Sequence, residues 1–231
     1  MNDIYKFLVN TAILVDGGFY KKRAYHYSGE KTPKERADEL EQFCHDLLYD
    51  KRENRRLYRI FYYDCPPINK KVYHPLLDKA VDLGKTEEYK WNTDFFDELR
   101  RRRKFAVRLG KLSESTAQFQ LKPGIVNKLM RGEIRPEDVT ESDFAFHVEQ
   151  KGVDMRIGVD IISMALKKQV QQIILVSGDS DFVPAAKQAR REGLDVILAP
   201  MGATIKPELH EHIDGRTNKV PKNKKNDDET T

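Results

Sequence analysis

The fold class of this chain is decided by residues 173–182, which read IILVSGDSDF. The four apolar residues at the start show no polar alternation, which predicts a strand buried on both faces, as in a parallel sheet. Asp179 and Asp181 would then follow the carboxyl end of that strand, where open α/β sheets place their sites. Carboxylates crowded there repel one another unless a cation or a basic ligand relieves them. On these residues alone, the alternative that one acid caps the next helix and the other is solvated stays open.

Two further apolar stretches also end in an acid. Residues 12–15 (AILV) precede Asp16, and the two glycines that follow predict a tight turn. Because the carboxyl ends of parallel strands lie at one edge of a sheet, Asp16 and Asp179 are expected to converge. Residues 57–63 are rich in strand-forming side chains and precede Asp64, and two prolines then end the strand. Asp64 is thus a third acid at a strand end, although we favour its interpretation as a turn residue.

The composition fits a folded enzyme or binding protein and excludes few classes. A chain of 231 residues, 39% hydrophobic, can form one large domain or one domain with an insertion. The net charge of +4 does not by itself indicate a nucleic-acid partner. Residues 1–7 show no signal-peptide pattern, and no apolar run is long enough to span a membrane. Cys44 and Cys65 have no metal-ligand spacing, which predicts buried, reduced thiols and a cytoplasmic location.

The remaining elements follow from periodicity and from helix or turn signals. We predict helices over 35–49, 69–103 with a break near Gly84, 154–166, 180–192 and 205–213, and strands over 105–109, 144–148 and 194–199. Residues 116–121 are expected to pair back as a hairpin, and 125–130 to form a helical turn or two. In the 154–166 helix, Ile162 and Leu166 are expected to widen the buried face, and Asp154 lies near the sheet edge while Asp160 points elsewhere. Asn92, Thr93 and Asp94 read as helix caps.

Basic residues cluster at 100–104, with the sequence RRRRK. Cations at the C-terminal end of a helix interact favourably with its dipole, and this alone explains some of them. Five in a row exceed what a helix end needs, so a surface that contacts phosphate is an equally good interpretation.

Four stretches together resemble the NYN domain family, in the LabA-like branch of the PIN-like nuclease superfamily. They are the strand before Asp16-Gly17, residues 62–64 (YYD) before two prolines, residues 151–154 (KGVD) opening an apolar helix, and residues 176–184 (VSGDSDFVP). The resemblance runs from about residue 12 to residue 200 and is weakest over 112–142. Many NYN domains have an asparagine shortly after the first Asp-Gly, where this chain has Gly18 and Phe19.

The resemblance implies a three-layer α/β/α PIN-like (Rossmannoid) fold with a mainly parallel central sheet and an inserted segment. The domain would span residues 1–215 with its insertion at about 112–150, and 216–231 would be a disordered basic tail. The implied activity is a ribonuclease dependent on Mg²⁺ or Mn²⁺. Its catalytic and metal-binding residues would be Asp16, Asp154, Asp179 and Asp181, with Asp181 doubling as a helix cap. Substrate contacts are expected from Ser177, Lys151, Arg101, Arg102 and Arg103.

The leading hypothesis is therefore a metal-dependent endoribonuclease acting on RNA, with DNA not excluded and no membrane partner. A homodimer is plausible, because PIN-like domains are often dimeric. The chief alternative is an RNA-binding or regulatory module on the same fold with weak or lost catalysis. A pure binder of polyanions has no reason to concentrate carboxylates at its binding edge, which favours the enzyme. A nucleotide-binding α/β domain is disfavoured, because neither glycine-containing motif matches a phosphate-cradling pattern.

Overall fold

The computed structural model describes residues 8–51 and 53–222. The strands, numbered along the chain, are β1 (Leu8–Asp16), β2 (Asn54–Asp64), β3 (Lys71–His74), β4 (Lys79–Asp82), β5 (Phe105–Leu109), β6 (Lys111–Leu112), β7 (Gln118–Leu121), β8 (Phe144–His147), β9 (Gln150–Lys151), β10 (Gln172–Val176), β11 (Asp195–Leu198) and β12 (Gly215–Arg216). The α-helices are α1 (Gly17–Ser28), α2 (Pro33–Leu48), α3 (Glu87–Arg100), α4 (Pro123–Met130), α5 (Val153–Leu166), α6 (Val183–Arg191) and α7 (Pro207–His210). The predictions for residues 1–7 and for the tail beyond residue 222 lie outside the described residues.

The chain divides into two compact units. The first comprises residues up to 64, residues 94–110 and residues from 152 onward, and the second comprises 65–93 and 111–151. The second unit contains three antiparallel strand pairs, β3–β4, β6–β9 and β7–β8. Within it, the ring of His74 packs against Phe119 and Phe144 at centroid distances of 4.5 and 4.8 Å. The predicted insertion at 112–150 therefore belongs to a unit that also includes 65–93.

The first unit is built on a six-stranded sheet with the order β12-β11-β10-β1-β2-β5. Every neighbouring pair is parallel. Residues 12–15 of β1 and 173–176 of β10 are almost completely buried, which explains why these stretches are apolar without alternation. The strands predicted at 12–15, 57–63 and 173–176 are confirmed, and so is the α/β class with a parallel central sheet.

Helices cover both faces of this sheet. Two consecutive residues of β2 show the two layers, because successive side chains of a strand point to opposite faces of the sheet. Tyr62 packs against Phe95 of α3, with ring centroids 5.6 Å apart, while the Tyr63 hydroxyl donates a 2.8 Å hydrogen bond to Asp160 of α5. The core on the second face joins residues of α5 and α6 to β1, β10 and β11. The three-layer α/β/α arrangement is thus confirmed.

The strand order reverses between β1 and β10. From β1, the strands that follow first along the chain (β2 and β5) lie on one side, and the last strands lie on the other. Such a reversal is where open α/β sheets bind their ligands, at the carboxyl ends of the strands. Val15 pairs with Val176, so the next residues, Asp16 and Ser177, lie side by side at this point.

Several predicted helices differ from the structure. The helix over 69–103 is wrong before Glu87, because β3 and β4 form a hairpin there and a short 3-10 helix over Leu83–Lys85 follows. Exposed and buried residues alternate along β3, as expected for a strand. Our helix prediction did not recognise this two-residue period. Asn92, Thr93 and Asp94 consequently lie inside α3 and do not begin it. The helix predicted over 205–213 is only the four-residue α7.

Three smaller differences from the predictions concern the chain after Asp16, the pairing of β7 and the buried face of α5. The chain after Asp16 is helix α1 and not the tight turn that the glycines suggested. Residues 116–121 do not pair back locally, because β7 pairs with β8 further along the chain. In α5, Leu166 is 57% exposed although we expected it in the core, and Met164 is buried instead. Cys44 and Cys65 are buried, reduced thiols, as predicted.

Candidate functional site

Asp16 ends β1 and begins α1. Its Oδ1 accepts the backbone N–H of Phe19 at 3.1 Å, so the carboxylate caps the helix. The next residue, Gly17, allows side chains of β2 to approach the backbone closely. A Cβ at this position would meet the Tyr62 ring at 2.6 Å and Asp64 Oδ2 at 2.7 Å. Asp16 is thus fixed by its helix on one side and by the sheet on the other.

The acids after β10 are joined to Asp16 by hydrogen bonds. The hydroxyl of Ser177, which is fully buried, donates to Asp16 Oδ2 at 3.3 Å and accepts the N–H of Asp179 at 3.2 Å. Asp179 Oδ1 in turn accepts the N–H of Asp181 at 3.0 Å and caps the short 3-10 helix Ser180–Phe182. The helix cap is therefore Asp179, not Asp181 as we predicted, and the Asp181 side chain lies in the first turn.

Asp154 reaches the same group from helix α5. It lies in the first turn, after Gly152, whose φ of +81° is in the left-handed region that favours glycine. Burial raises the pKa of the Asp154 carboxyl, and the charges of Asp179 and Asp181 raise it further. The structure thus brings Asp154 within electrostatic reach of both acids that follow β10.

The pKa of Asp16 is also raised. Burial is the largest cause, and the charges of Asp154 and Asp64 add to it, while the hydrogen bonds from Phe19 and Ser177 act in the opposite direction. Two carboxyl groups from different elements are therefore both destabilised in their charged form. Desolvation and like-charge repulsion of this kind are common where a protein binds a cation or performs acid–base chemistry.

Asp64 lies buried at the same edge of the sheet, although we predicted a turn residue there. It is the last residue of β2, 3% exposed, and not a turn residue. Its Oδ2 lies 2.8 Å from the Lys21 Nζ and accepts a 3.1 Å hydrogen bond from the Tyr62 hydroxyl. Its position as a third acid at a strand end was the signal for a site residue, and we gave more weight to the turn interpretation. Lys21 could not be placed, because α1 was not predicted.

The carboxylates do not form a closed metal cage. Within residues 8–51 and 53–222, no group of three or more His, Cys, Asp or Glu side chains is arranged closely enough to hold a metal ion. The oxygen donors are nevertheless of the type that Mg²⁺ and Mn²⁺ prefer, and Mg²⁺ commonly keeps several waters while it contacts one or two carboxylates. The residues present therefore fit a hydrated divalent cation better than a fully protein-coordinated one.

Within the basic cluster at 100–104, Arg102 and Lys104 are engaged inside the fold, whereas the other three residues are exposed. Arg102 is only 12% exposed and pairs with Asp38 at 2.6 Å and with Glu41. Arg101 lies 3.3 Å from Glu98, and Lys104 donates to the Leu57 carbonyl. A phosphate contact by Arg102 would require its ion pairs with Asp38 and Glu41 to break. Arg103 is exposed.

Lys151 belongs to the second unit, as the last residue of β9. Its Nζ lies 3.4 Å from a carboxylate oxygen of Glu149, and its side chain is 64% exposed. A role in substrate binding stays a prediction for Lys151, as it does for Ser177 and Arg101.

The NYN domain model matches residues 67–214, which is more than half of the chain. The chain belongs to the NYN domain family. The match includes Asp154 and the motif at 177–181, but it begins after β1, so the place of Asp16 in the site rests on the geometry described above. NYN domains are PIN-like and nuclease-like, and membership in the LabA-like branch stays a prediction.

One solved structure similar to this NYN chain is the crystal structure of a protein of unknown function from Vibrio parahaemolyticus. It shares 16% identity, covers 94% of this chain and 95% of its own, and has a TM-score of 0.47, too low to support any conclusion about function. No curated protein matches the chain. Among the helices that the structure describes, none is both long and apolar enough to cross a bilayer.

Proposed function

We propose that this NYN domain protein is an endoribonuclease that hydrolyses RNA phosphodiester bonds and depends on Mg²⁺ or Mn²⁺. The observation that carries the proposal is the convergence of Asp16, Asp154 and the acids after β10 at the carboxyl ends of β1 and β10. Membership in a nuclease-like family supports the reaction class. We further propose a single domain over residues 1–215, with an insertion at 112–150, and a cytoplasmic location for the protein. RNA is the preferred substrate, and a homodimer stays a prediction.

The residues of the chain have separate tasks in this proposal. Asp16, Asp154, Asp179 and Asp181 supply the carboxylate oxygens, and a divalent cation bound among them would neutralise phosphate charge and lower the pKa of a bound water. Ser177 is a positioning residue, because its hydroxyl joins the Asp16 carboxylate to the Asp179 backbone. Direct contact by one or two carboxylates and contact through water by the others would suit the open arrangement.

That open arrangement is also the observation that favours a second candidate, an RNA-binding or regulatory module on the same fold. Without three acids close enough to hold a metal directly, a site of this kind loses affinity for cations and therefore activity. The two candidates differ in one measurable property, which is cleavage that depends on both the cation and the acids.

The test compares the cleavage of single-stranded and structured RNA by the full-length chain, with Mn²⁺, with Mg²⁺ and with a chelator. Four single variants, Asp16→Asn, Asp154→Asn, Asp179→Asn and Asp181→Asn, keep side-chain size while removing charge. Asp97→Asn is the matched control, because Asp97 is half-exposed on α3 and pairs with Arg100. We expect metal-dependent cleavage that falls by at least about a hundredfold in each of the four acid variants and is unchanged in the control.

Two results would reject the enzyme. Cleavage that is equal in wild type and in the acid variants would point to a contaminating nuclease. RNA binding without any cleavage by the wild type would assign the binding module instead.

A further inference from the structure

A polar cavity lies on the α5 side of the sheet, within the first unit. Its volume is about 440 Å³, in the range of small-molecule sites. Its lining includes Tyr58, Arg59 and Phe61 of β2, Arg108 of β5, Asp160 of α5 and Lys167 just after α5. Three cations face one carboxylate, so the cavity favours an anion. The presence of two aromatic rings adds a preference for a flat group.

A β-bulge gives this cavity two consecutive side chains of one strand. Consecutive residues of a regular strand point to opposite faces, so Tyr58 and Arg59 would normally be separated by the sheet. The register between β1 and β2 shifts here: Thr11 pairs with Leu57, whereas Ala12 pairs with Arg59. Tyr58 is the extra residue, and both it and Arg59 line the cavity. Bulges that redirect a side chain in this way occur frequently beside binding sites.

Arg108 is held in place before any ligand arrives. Its guanidinium lies over the Phe61 ring, with Cζ 5.6 Å from the ring centroid, and its Nε is 3.5 Å from Asp160 Oδ2. Asp160 itself accepts the Tyr63 hydroxyl at 2.8 Å. The Arg108 side chain is still 48% exposed, so part of the guanidinium is available for stacking or for hydrogen bonds.

We propose that this cavity binds one nucleotide unit of a single-stranded RNA. The base stacks beside Tyr58 and the Arg108 guanidinium, and the phosphate lies near Arg59 and Lys167. Aromatic and guanidinium surfaces that accept any base, combined with cations that follow the backbone, are the usual means of binding single strands. The choice of an RNA polymer over a free nucleotide as the ligand rests on the function proposed above. The assignment of the cavity as a nucleotide-binding site does not.

Helix α5 connects the cavity to the acidic edge, the name that we give to Asp16, Asp154, Asp179 and Asp181. Asp154 lies in its first turn, and Asp160 and Lys167 follow it by six and thirteen residues. At 1.5 Å per residue, they are about 9 and 20 Å further along the axis. An RNA strand cleaved at the acidic edge would need only a few nucleotides to reach the cavity. The cavity would therefore hold RNA on one side of the cut.

Binding of a labelled single-stranded RNA to the full-length chain, measured by fluorescence anisotropy with a chelator present, tests this. The double variant Arg59→Glu/Lys167→Glu reverses two cavity charges. Arg56→Glu/Lys168→Glu is its matched control, with the same charge change on the same strand and beside the same helix end, but outside the cavity. We expect about tenfold weaker binding in the first variant and less than about threefold in the control.

A second pair of variants tests stacking without a change of charge. Tyr58→Ala removes the bulged ring, and Tyr25→Ala removes an exposed ring from α1. We expect about fivefold weaker RNA binding for Tyr58→Ala and no change for Tyr25→Ala. Circular dichroism melts establish that each variant is folded.

Equal weakening by both charge-reversed variants would overturn the proposal, because net charge alone would then explain the loss. A mononucleotide that binds the wild type as tightly as RNA, and loses binding in Arg59→Glu/Lys167→Glu, would assign a free-nucleotide site and overturn the RNA assignment. These measurements need no cleavage. A chain that shows the expected binding pattern but never cuts RNA would retain this inference while the proposed enzyme fails.

Discussion

The Ser177 hydroxyl donates a hydrogen bond to the Asp16 carboxylate across 3.3 Å, just beyond the last paired residues of β1 and β10. The same oxygen accepts the N–H of Asp179. One buried hydroxyl thus fixes the positions of acids from both central strands. This bond connects the two halves of the candidate site.

Replacing Ser177 with alanine should separate those halves. The Asp179 N–H would lose its acceptor and the Asp16 carboxylate would lose a donor, at a cost of about 1–2 kcal/mol in the free energy of unfolding. We expect RNA cleavage to fall about tenfold, measured as initial rates at saturating Mn²⁺. Ser115→Ala, at an exposed serine of the second unit, is the control. Unchanged cleavage in Ser177→Ala would mean that the acids do not depend on this hydroxyl.

Asp16 should show two separable roles when asparagine and alanine variants are compared. Asparagine keeps an oxygen that can accept the Phe19 N–H, whereas alanine removes the cap of α1. Both variants should lose cleavage, but only Asp16→Ala should lose about 1 kcal/mol of unfolding free energy, measured by urea denaturation. If Asp16→Asn is destabilised as much as Asp16→Ala, the capping role is wrong.

Asp154→Asn should make the protein more stable at neutral pH while it removes activity. The pKa of Asp154 is raised in the folded state above its ordinary value of 3.8. The contribution of this group to stability is therefore complete below that value and is lost as pH rises through the folded-state pKa. At pH 7 the wild type carries the repulsion of Asp179 and Asp181, and the variant does not.

We accordingly expect the Tm of Asp154→Asn to exceed that of the wild type by about 2 °C at pH 7. The difference should shrink as the pH is lowered towards 4. Adding Mn²⁺ should raise the Tm of the wild type more than that of the variant, because a cation relieves the same repulsion. A variant that melts below the wild type at pH 7 would contradict the electrostatic explanation.

The two glycines after Asp16 should respond in opposite ways to alanine. At Gly17 a Cβ would meet the buried Tyr62 ring at 2.6 Å, so Gly17→Ala should lose about 2 kcal/mol in spite of its better helix propensity. At Gly18 the nearest atom, Asp16 Oδ1, is 3.6 Å away, which is an ordinary contact. Gly18→Ala should therefore gain up to about 1 kcal/mol. Thermal melts of the two variants decide this, and a neutral Gly17→Ala would show that Tyr62 can move.

The sheet could be predicted from the sequence because its strands carry their own signal. Residues 12–15 and 173–176 are buried on both faces, so burial alone dictates an apolar run. The acids that follow could be located for the same reason, since strand ends in a parallel sheet share one edge. The hairpin of β3 and β4 gave a weaker signal, because four-residue strands with mixed polar residues fit helix and strand patterns about equally.

Contacts within the site could not be predicted, because they depend on distances across the chain. Lys21 neutralises Asp64 only because α1 begins immediately after β1, and the glycines at 17 and 18 argued against a helix there. The exchange of capping roles between Asp179 and Asp181 depends on a single 3-10 turn. The bulge at Tyr58 leaves no mark in the sequence, since its neighbours are all ordinary strand residues.

The pairing of β1 with β10 joins residues that are 161 positions apart, as the bond between Ser177 and Asp16 illustrates. Contacts between such distant residues form slowly, because the loop between them must close at a cost in entropy before the contact stabilises the fold. During synthesis, β1 emerges long before its partner, so the acids of the N-terminal part remain isolated until residue 176 and beyond have left the ribosome. A nascent chain therefore carries no assembled acidic site. The site of the proposed activity would therefore assemble only after residues 177–181 have been synthesised and have left the ribosome.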